Sequence, residues 1–101
     1  MTFRLESGDK GLIRISGEVS VDESPQMLAE VETLINQISG NEVVVDLQAL
    51  SNAHSAILSA LLGMVRHAKT KDKSLFFIET PTRLFDLSRV SGLDKVLPCR
   101  S

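Results

Sequence analysis

The order of hydrophobic and polar positions along the chain predicts an opening hairpin followed by alternating helices and strands. Phe3 and Leu5 alternate with polar residues, and the strand pattern resumes at 12–15 after a turn at 8–11 that contains two glycines. The apolar runs at 43–47 and 75–78 lack this alternation, which is typical of strands covered on both faces. Strands that alternate with helices predict an α/β fold in which right-handed crossovers link parallel strands.

Three segments have the 3.6-residue period of amphipathic helices. The first is expected to begin at Ser24 and Pro25, with the Ser24 hydroxyl as N-cap, and to stop at Gly40 in a left-handed conformation. The second begins near Ser55, and the third follows a cap at Thr80 and Pro81 and ends at Gly92. The predicted apolar faces are Met27, Leu28, Val31, Leu34, Ile35 and Ile38, then Leu58, Leu61, Leu62, Val65 and Ala68, then Leu84, Phe85 and Leu87.

The second helix carries another apolar line, formed by Ile57, Ala60 and Met64. A helix that lies on one side of a sheet does not need this line for its own burial, so we predict that it is an exposed surface for a partner. The loop at 46–55 leads into this helix from the carboxyl end of a strand, where α/β sheets favour ligands and partners. The sequence therefore places the functional site at the start of the second helix.

Composition and charge limit the classes of function. The 101 residues, 43% of them hydrophobic, are expected to form one domain that spans 1–101. Eleven basic residues against thirteen acidic ones, with neither Trp nor Tyr, argue against nucleic-acid binding. The lone Cys99 cannot form an internal disulfide, and no apolar stretch approaches the roughly 20 residues of a membrane span. We therefore expect a soluble cytoplasmic protein that reaches a membrane at most peripherally, through a complex.

The residue types of several catalytic and metal sites are present without the required spacing. Asp46, His54 and Ser55 could supply a hydrolase triad, but no Gly-x-Ser-x-Gly elbow is present and a serine rarely meets a base next to it in sequence. His54 and His67 are thirteen residues apart without further ligands at metal-site spacing, so both are expected to face solvent. No catalytic, cofactor or metal site is predicted.

A basic cluster ends the second helix, at Arg66, Lys69, Lys71 and Lys73. Positive charge at this position complements the helix dipole, which favours a solvated helix terminus. A weak contact with anionic phospholipid or with an acidic partner is the alternative interpretation.

The chain resembles a STAS domain over essentially its whole length. The resemblance rests on the strand VVVDL, the loop and helix SNAHSAILSALL, and the ending PTRLFDLSRVSGLDKVLP. It implies a single STAS-like α/β domain, in which helices pack against a mixed, mostly parallel sheet. STAS domains include anti-sigma factor antagonists of the SpoIIAA type and the MlaB-type subunit of the Mla phospholipid-transport ABC complex. Because both are binding modules, the resemblance implies that this chain is not an enzyme.

The antagonists carry Asp-Ser-Ser-Gly-Leu before the corresponding helix, and the partner kinase phosphorylates the second Ser. Alignment on Leu58 puts His54 at the Asp, Ser55 at the first Ser, Ala56 at the second and Ile57 at the Gly. The usual acceptor position is thus Ala56, which has no hydroxyl. We expect no phosphorylation at that position, and Ser55 is the possible alternative.

MlaB-type subunits keep a hydroxyl residue at the position of Ser55 and share the small size and the ending after Val-Leu-Pro. This similarity favours an ABC-type ATPase as the partner, and an anti-sigma factor kinase is the alternative. Ser55 itself could be an N-cap, a partner contact, or both. The predicted partner-binding residues are Asn52, His54, Ser55, Ala56, Ile57, Ser59, Ala60 and Met64.

Overall fold

A computed structural model describes residues 2–100 and contains the predicted hairpin and the alternating elements. Their bounds are β1 (Phe3–Ser7), a 3-10 turn (Asp9–Gly11), β2 (Leu12–Gly17), α1 (Ser24–Gln37), β3 (Glu42–Asp46), α2 (Ser55–Thr70), β4 (Ser74–Ile78), α3 (Thr82–Val90) and β5 (Cys99–Arg100). The short β5 follows residues 96–98, for which the sequence predicts no element. Within 2–100, no helix is long and apolar enough to cross a membrane.

The five strands form one mixed sheet in the order β1-β2-β3-β4-β5. β1 and β2 are antiparallel, and every other neighbouring pair is parallel, which confirms the predicted α/β class. The strand order never reverses, so right-handed crossovers place all three helices on the same face of the sheet. The side chains on that face are buried in one hydrophobic core: Phe3, Ile13, Ile15, Val43, Val45, Leu75 and Phe77.

The other face of the sheet has no helix, so the expectation that the apolar runs are covered on both faces is wrong. Leu12, Val44 and Phe76 lie in register across three strands of this face and are only half-buried. The Arg100 guanidinium lies 3.8 Å from the centroid of the Phe76 ring, and Arg14 forms an ion pair across the sheet. Charged side chains therefore shield the apolar row.

The turn that precedes α1 is held by a reciprocal pair of the capping-box type, Ser20 and Glu23, whereas α1 itself begins at Ser24 with Glu23 as its N-cap. The Ser20 hydroxyl accepts the Glu23 N–H at 3.1 Å, and the Glu23 carboxylate accepts the Ser20 N–H at 3.1 Å. Ser24 is buried in the first turn and donates its hydroxyl to the Ser20 carbonyl, so the prediction that it is the N-cap is wrong. Hydrogen bonds from Ser20 and Thr2 lower the pKa of Glu23 to about 2.

The end of α1 also differs from the expectation. The helix ends at Gln37, before an extended Ile38, and Gly40 does not have a positive φ. The Lys73 ammonium instead donates to the Ile38 and Gly40 carbonyls at 2.6 and 2.7 Å. Lys73, predicted to be part of a solvated helix terminus, thus fixes the segment that follows α1.

The third helix lacks the predicted cap at its start but ends as predicted. Thr80 provides no cap, because its hydroxyl is directed to the Cys99 sulfur at 3.7 Å and the helix begins after Pro81 without a side-chain cap. Its predicted end is confirmed: Gly92 has a φ of +73°, and the Leu93 N–H donates to the Ser88 carbonyl at 2.8 Å.

Candidate partner-binding site

The loop between β3 and α2 is held against the loop between β2 and α1. The Gly17 N–H donates to the Ala49 carbonyl at 3.0 Å, and the Ser51 N–H donates to the Gly17 carbonyl at 2.9 Å. Asn52 then bonds both main-chain groups of Val19, accepting its N–H at 3.0 Å and donating to its carbonyl at 2.8 Å. The two loops at the carboxyl ends of neighbouring parallel strands thus form one hydrogen-bonded unit.

His54 connects this unit to the start of α2. Its Nε2 lies 2.7 Å from the Val19 carbonyl oxygen, and its Nδ1 accepts the Ile57 N–H at 3.3 Å. Only a neutral ring with the proton on Nε2 satisfies both contacts. His54 is therefore the N-cap of α2 and Ser55 is the first helical residue, so Ser55 is not the cap. The expectation that His54 and His67 face solvent is also wrong, since both are half-buried and His67 Nε2 lies 2.8 Å from Asn36 Oδ1.

The structure separates the predicted partner-binding residues into two groups on α2. Ser55 and Ser59 are exposed, and Ala56 is half-buried at the surface. Ile57 and Met64 have no exposed area, and Ala60 is buried. The prediction that Ile57, Ala60 and Met64 form an exposed line is therefore wrong.

The reason is that α2 has two neighbours rather than one. It packs on the sheet through Leu58, Leu61, Val65 and Ala68, which are buried as predicted, whereas Leu62 is only half-buried. It also packs beside α1, where a Cβ on Gly63 would lie 2.8 Å from a methyl group of Leu28. The second apolar line is thus used inside the domain.

An open apolar groove lies between the first turns of α1 and α2. Its volume is about 410 Å³, and its lining residues are Val21, Ser24, Pro25, Leu28, Ala56, Ser59 and Ala60. Val21 stands out because 61% of its surface is exposed. The α1 side of this groove was missed, because the partner-binding residues predicted from the sequence all lie at 52–64. The signal was an apolar Val21 among polar residues.

A larger open depression of about 580 Å³ lies at the opposite end of the sheet, where the parallel strands begin. It is lined by the turn at 8–11 and by residues 37–42, which are mostly exposed and polar. It has no connection with the loops described above.

The residue types of a hydrolase triad do not meet here. Asp46 forms an ion pair with Arg14 at 3.3 Å and accepts the Gln48 N–H at 2.9 Å. His54 directs both ring nitrogens to main-chain groups, as described above. The described hydrogen bonds of Asp46 and His54 thus hold the fold and involve neither each other nor Ser55.

Comparisons with known proteins agree with this geometry. Over residues 3–98 the chain matches the family model described as MlaB, STAS domain. The unphosphorylated anti-sigma factor antagonist SpoIIAA is similar in structure, with a TM-score of 0.73 at 20% identity over 98% of this chain and 88% of that one.

Two further solved structures show the same fold. An anti-sigma factor antagonist from Mycobacterium paratuberculosis gives a TM-score of 0.71 at 22% identity, covering 97% of this chain and 83% of that one. A variant of RsbS from Moorella thermoacetica gives 0.72 at 16% identity, covering 99% of this chain and 86% of that one. Since the family model spans nearly the whole described domain, the chain belongs to the STAS domain family.

Proposed function

We propose that this chain is a non-enzymatic, cytoplasmic binding module that regulates the ATPase of an ABC-type phospholipid transport system. The observation that carries the proposal is the pre-formed surface at the start of α2, where Ser55, Ala56 and Ser59 face outwards beside an apolar groove. The MlaB description of the matching family supports the choice of an ABC ATPase.

The chemistry of this surface supports binding rather than catalysis. The groove is lined by Val, Pro, Leu, Ala and Ser side chains, none of which is titratable near neutral pH. The hydrogen bonds of Asn52 and His54 to Val19 hold the two loops in one conformation before a partner arrives. A pre-formed surface pays little ordering entropy on association, which improves affinity.

Regulation follows from differential affinity. If the surface fits one conformation of the ATPase better than another, binding shifts the ATPase towards the conformation that fits. The chain itself needs no bond-making step for this effect.

An affinity capture from native cells with the intact chain tests the proposal. We expect an ABC-type ATPase among the retained proteins, and we expect Ser59→Trp to lose it because the indole fills the groove. Ser39→Trp is the matched control, since Ser39 is an exposed serine outside the groove and near the opposite end of the sheet. Retention of the ATPase at equal yield by both variants would place the binding surface elsewhere.

A second candidate function is antagonism of an anti-sigma factor. Structural neighbours described as anti-sigma factor antagonists support this alternative. Ala56 argues against a phosphorylation switch of the usual kind, because it aligns with the phosphorylated serine of the antagonists and has no hydroxyl. Capture of a kinase of the anti-sigma factor class, in place of an ABC ATPase, would favour the alternative.

A further inference from the structure

The charges of this chain are distributed very unevenly. Residues 15–65 contain seven carboxylates and neither lysine nor arginine, whereas the whole chain has eleven basic residues. The seven are Glu18, Asp22, Glu23, Glu30, Glu32, Glu42 and Asp46. This segment includes α1, the two joined loops and the first turns of α2, so it supplies every residue that lines the groove.

Most of the seven carboxylates already have partners within the domain. Glu23 binds Ser20 and Thr2, Glu30 accepts from Gln26, and Glu32 lies 3.8 Å from His67. Glu42 and Asp46 form ion pairs with Arg100 and Arg14.

Glu18 and Asp22 differ from the other five. Both are exposed, and no ion pair or side-chain hydrogen bond of either is found among the described residues. Both belong to the loop between β2 and α1, which contributes Val21 to the lining of the groove; Asp22 is next to Val21 in sequence and Glu18 is three residues before it. The loop that contributes Val21 to the apolar groove thus carries two carboxylates that have no ion pair among the described residues.

We propose that the groove binds an amphipathic helix of a partner protein, with an apolar ridge in the groove and lysine or arginine side chains facing Glu18 and Asp22. The proposal rests on the proposed function, because it specifies the partner segment that this same surface recognises. Small side chains at Ala56, Ser59 and Ala60 let a helix approach closely, and the carboxylates of the loop that carries Val21 would fix its direction. A partner segment with acidic flanks would meet like charge and be rejected.

A second copy of the chain is a poorer occupant. Its exposed lysines and arginines without an ion pair among the described residues are Arg4, Lys10, Arg66, Lys69, Lys71, Arg83 and Lys95. All of them lie outside 15–65, the segment that lines the groove, so a second copy would have to bring a different surface to it. A contact between these two surfaces would be heterologous, and such contacts extend into open chains unless the rotation closes. The charge pattern therefore favours a different protein.

Two designed peptides test the proposal without requiring the natural partner. One is an amphipathic helix of leucine and lysine, and the other has the same leucines with glutamate in place of lysine. Each is titrated into the isotope-labelled full chain, and amide shifts are followed by NMR. We expect the lysine peptide to shift Val21, Ala56 and Ser59 and the glutamate peptide to leave them unchanged.

Charge reversal supplies the matched variants. Glu18→Lys combined with Asp22→Lys should weaken binding of the lysine peptide roughly tenfold or more at low salt, whereas Glu6→Lys, an exposed carboxylate on β1, should change it little. The proposal would be overturned if Glu6→Lys weakened peptide binding equally, or if the glutamate peptide also bound. It would likewise be overturned if the amide shifts spread over α1 but spared the groove residues, or if the chain self-associated with rising concentration instead of binding the peptide.

The same variants, tested against the captured ATPase, separate the two proposals. If only the charge reversal at Glu18 and Asp22 abolishes ATPase binding, both the proposed function and the groove proposal are supported. An ATPase that binds all variants equally leaves the proposed function intact and overturns the groove proposal. Absence of any ATPase overturns the proposed function, while the peptide titration still decides the groove.

Discussion

The side-chain amide of Asn52 pairs with Val19 as a neighbouring strand would, accepting its N–H at 3.0 Å and donating to its carbonyl at 2.8 Å. The same carbonyl lies 2.7 Å from Nε2 of His54, which caps α2. One residue of the β2–α1 loop therefore sets the position of the next loop and of the helix that follows it.

Replacing Asn52 with Ala should destabilise the domain by about 1–3 kcal/mol, because both main-chain groups of the fully buried Val19 lose their amide partner. Asn41→Ala is the control, since the Asn41 side chain is exposed and its carbonyl, which accepts the Ser74 N–H, is retained. Urea unfolding followed by circular dichroism gives both values. Equal midpoints for the two variants would contradict the role of Asn52.

Substitutions at His54 can separate the contributions of its two hydrogen bonds to stability. His54→Ala removes both and should cost about 1–2 kcal/mol, the usual range for a lost N-cap. His54→Asp keeps an acceptor for the Ile57 N–H and should recover part of that loss, although the contact with the Val19 carbonyl is gone. Thermal unfolding of the three proteins provides the comparison. If Asp behaves like Ala, the ring acts by packing rather than as a cap.

The capping box predicts acid sensitivity. The pKa of Glu23 falls from 4.5 to about 2 in the folded chain, so the ionised carboxylate stabilises the fold above pH 4.5. This contribution decreases as the pH falls from 4.5 towards 2, where Glu23 becomes protonated in the folded state as well. Urea midpoints measured between pH 7 and pH 2 should show a smaller loss for Glu23→Gln than for the wild type. Parallel curves would show that Glu23 has no special part in acid unfolding.

The Lys73 ammonium is expected to stabilise the segment after α1. Lys73→Met removes the donor for the Ile38 and Gly40 carbonyls, and it should cost about 1–3 kcal/mol because hydrogen bonds from charged groups are the stronger ones. Lys71→Met changes the same charge at an exposed position and should have little effect. Hydrogen exchange at residues 38–41 should increase only in the Lys73 variant.

Substitutions at the apolar positions of α2 should reduce the free energy of unfolding by different amounts. Leu61→Ala should lose about 2–5 kcal/mol because Leu61 is buried, and Leu62→Ala should lose clearly less because Leu62 is half-buried. Met64→Lys, which would be harmless on an exposed line, should prevent folding because Met64 has no exposed area. Chemical denaturation separates the leucine variants, and soluble expression reports on Met64→Lys.

The period of the apolar residues was enough to predict the order and approximate bounds of most elements, because strands and helices bury side chains at different spacings. It was not enough to predict which faces are covered. Val44 belongs to a continuous apolar run, yet the monotonic strand order leaves its face without a helix. That information lies in the strand order rather than in any single segment.

The location of the candidate site at the start of α2 remains a prediction, whereas the predicted exposure of Ile57, Ala60 and Met64 is wrong. Ile57 and Met64 are buried because α1 packs beside α2, and such a helix pair cannot be inferred from the period of one helix. The capping box of Ser20 and Glu23 was present in the sequence, but the adjacent Ser24 and Pro25 gave a competing signal. His54 is not among the preferred N-cap residues, so its role needed the three-dimensional contacts.

The hydrogen bonds that hold the loop and the side chains proposed to face a partner belong to different residues. Asn52 and His54 bond to Val19, while Ser55 and Ser59 are exposed and Ala56 lines the groove. Exchanging Ser55, Ala56 and Ser59, together with Glu18 and Asp22, would leave the hydrogen bonds between the two loops untouched. If the proposed surface binds the partner, an engineered adaptor built on this domain would carry its specificity at these five positions.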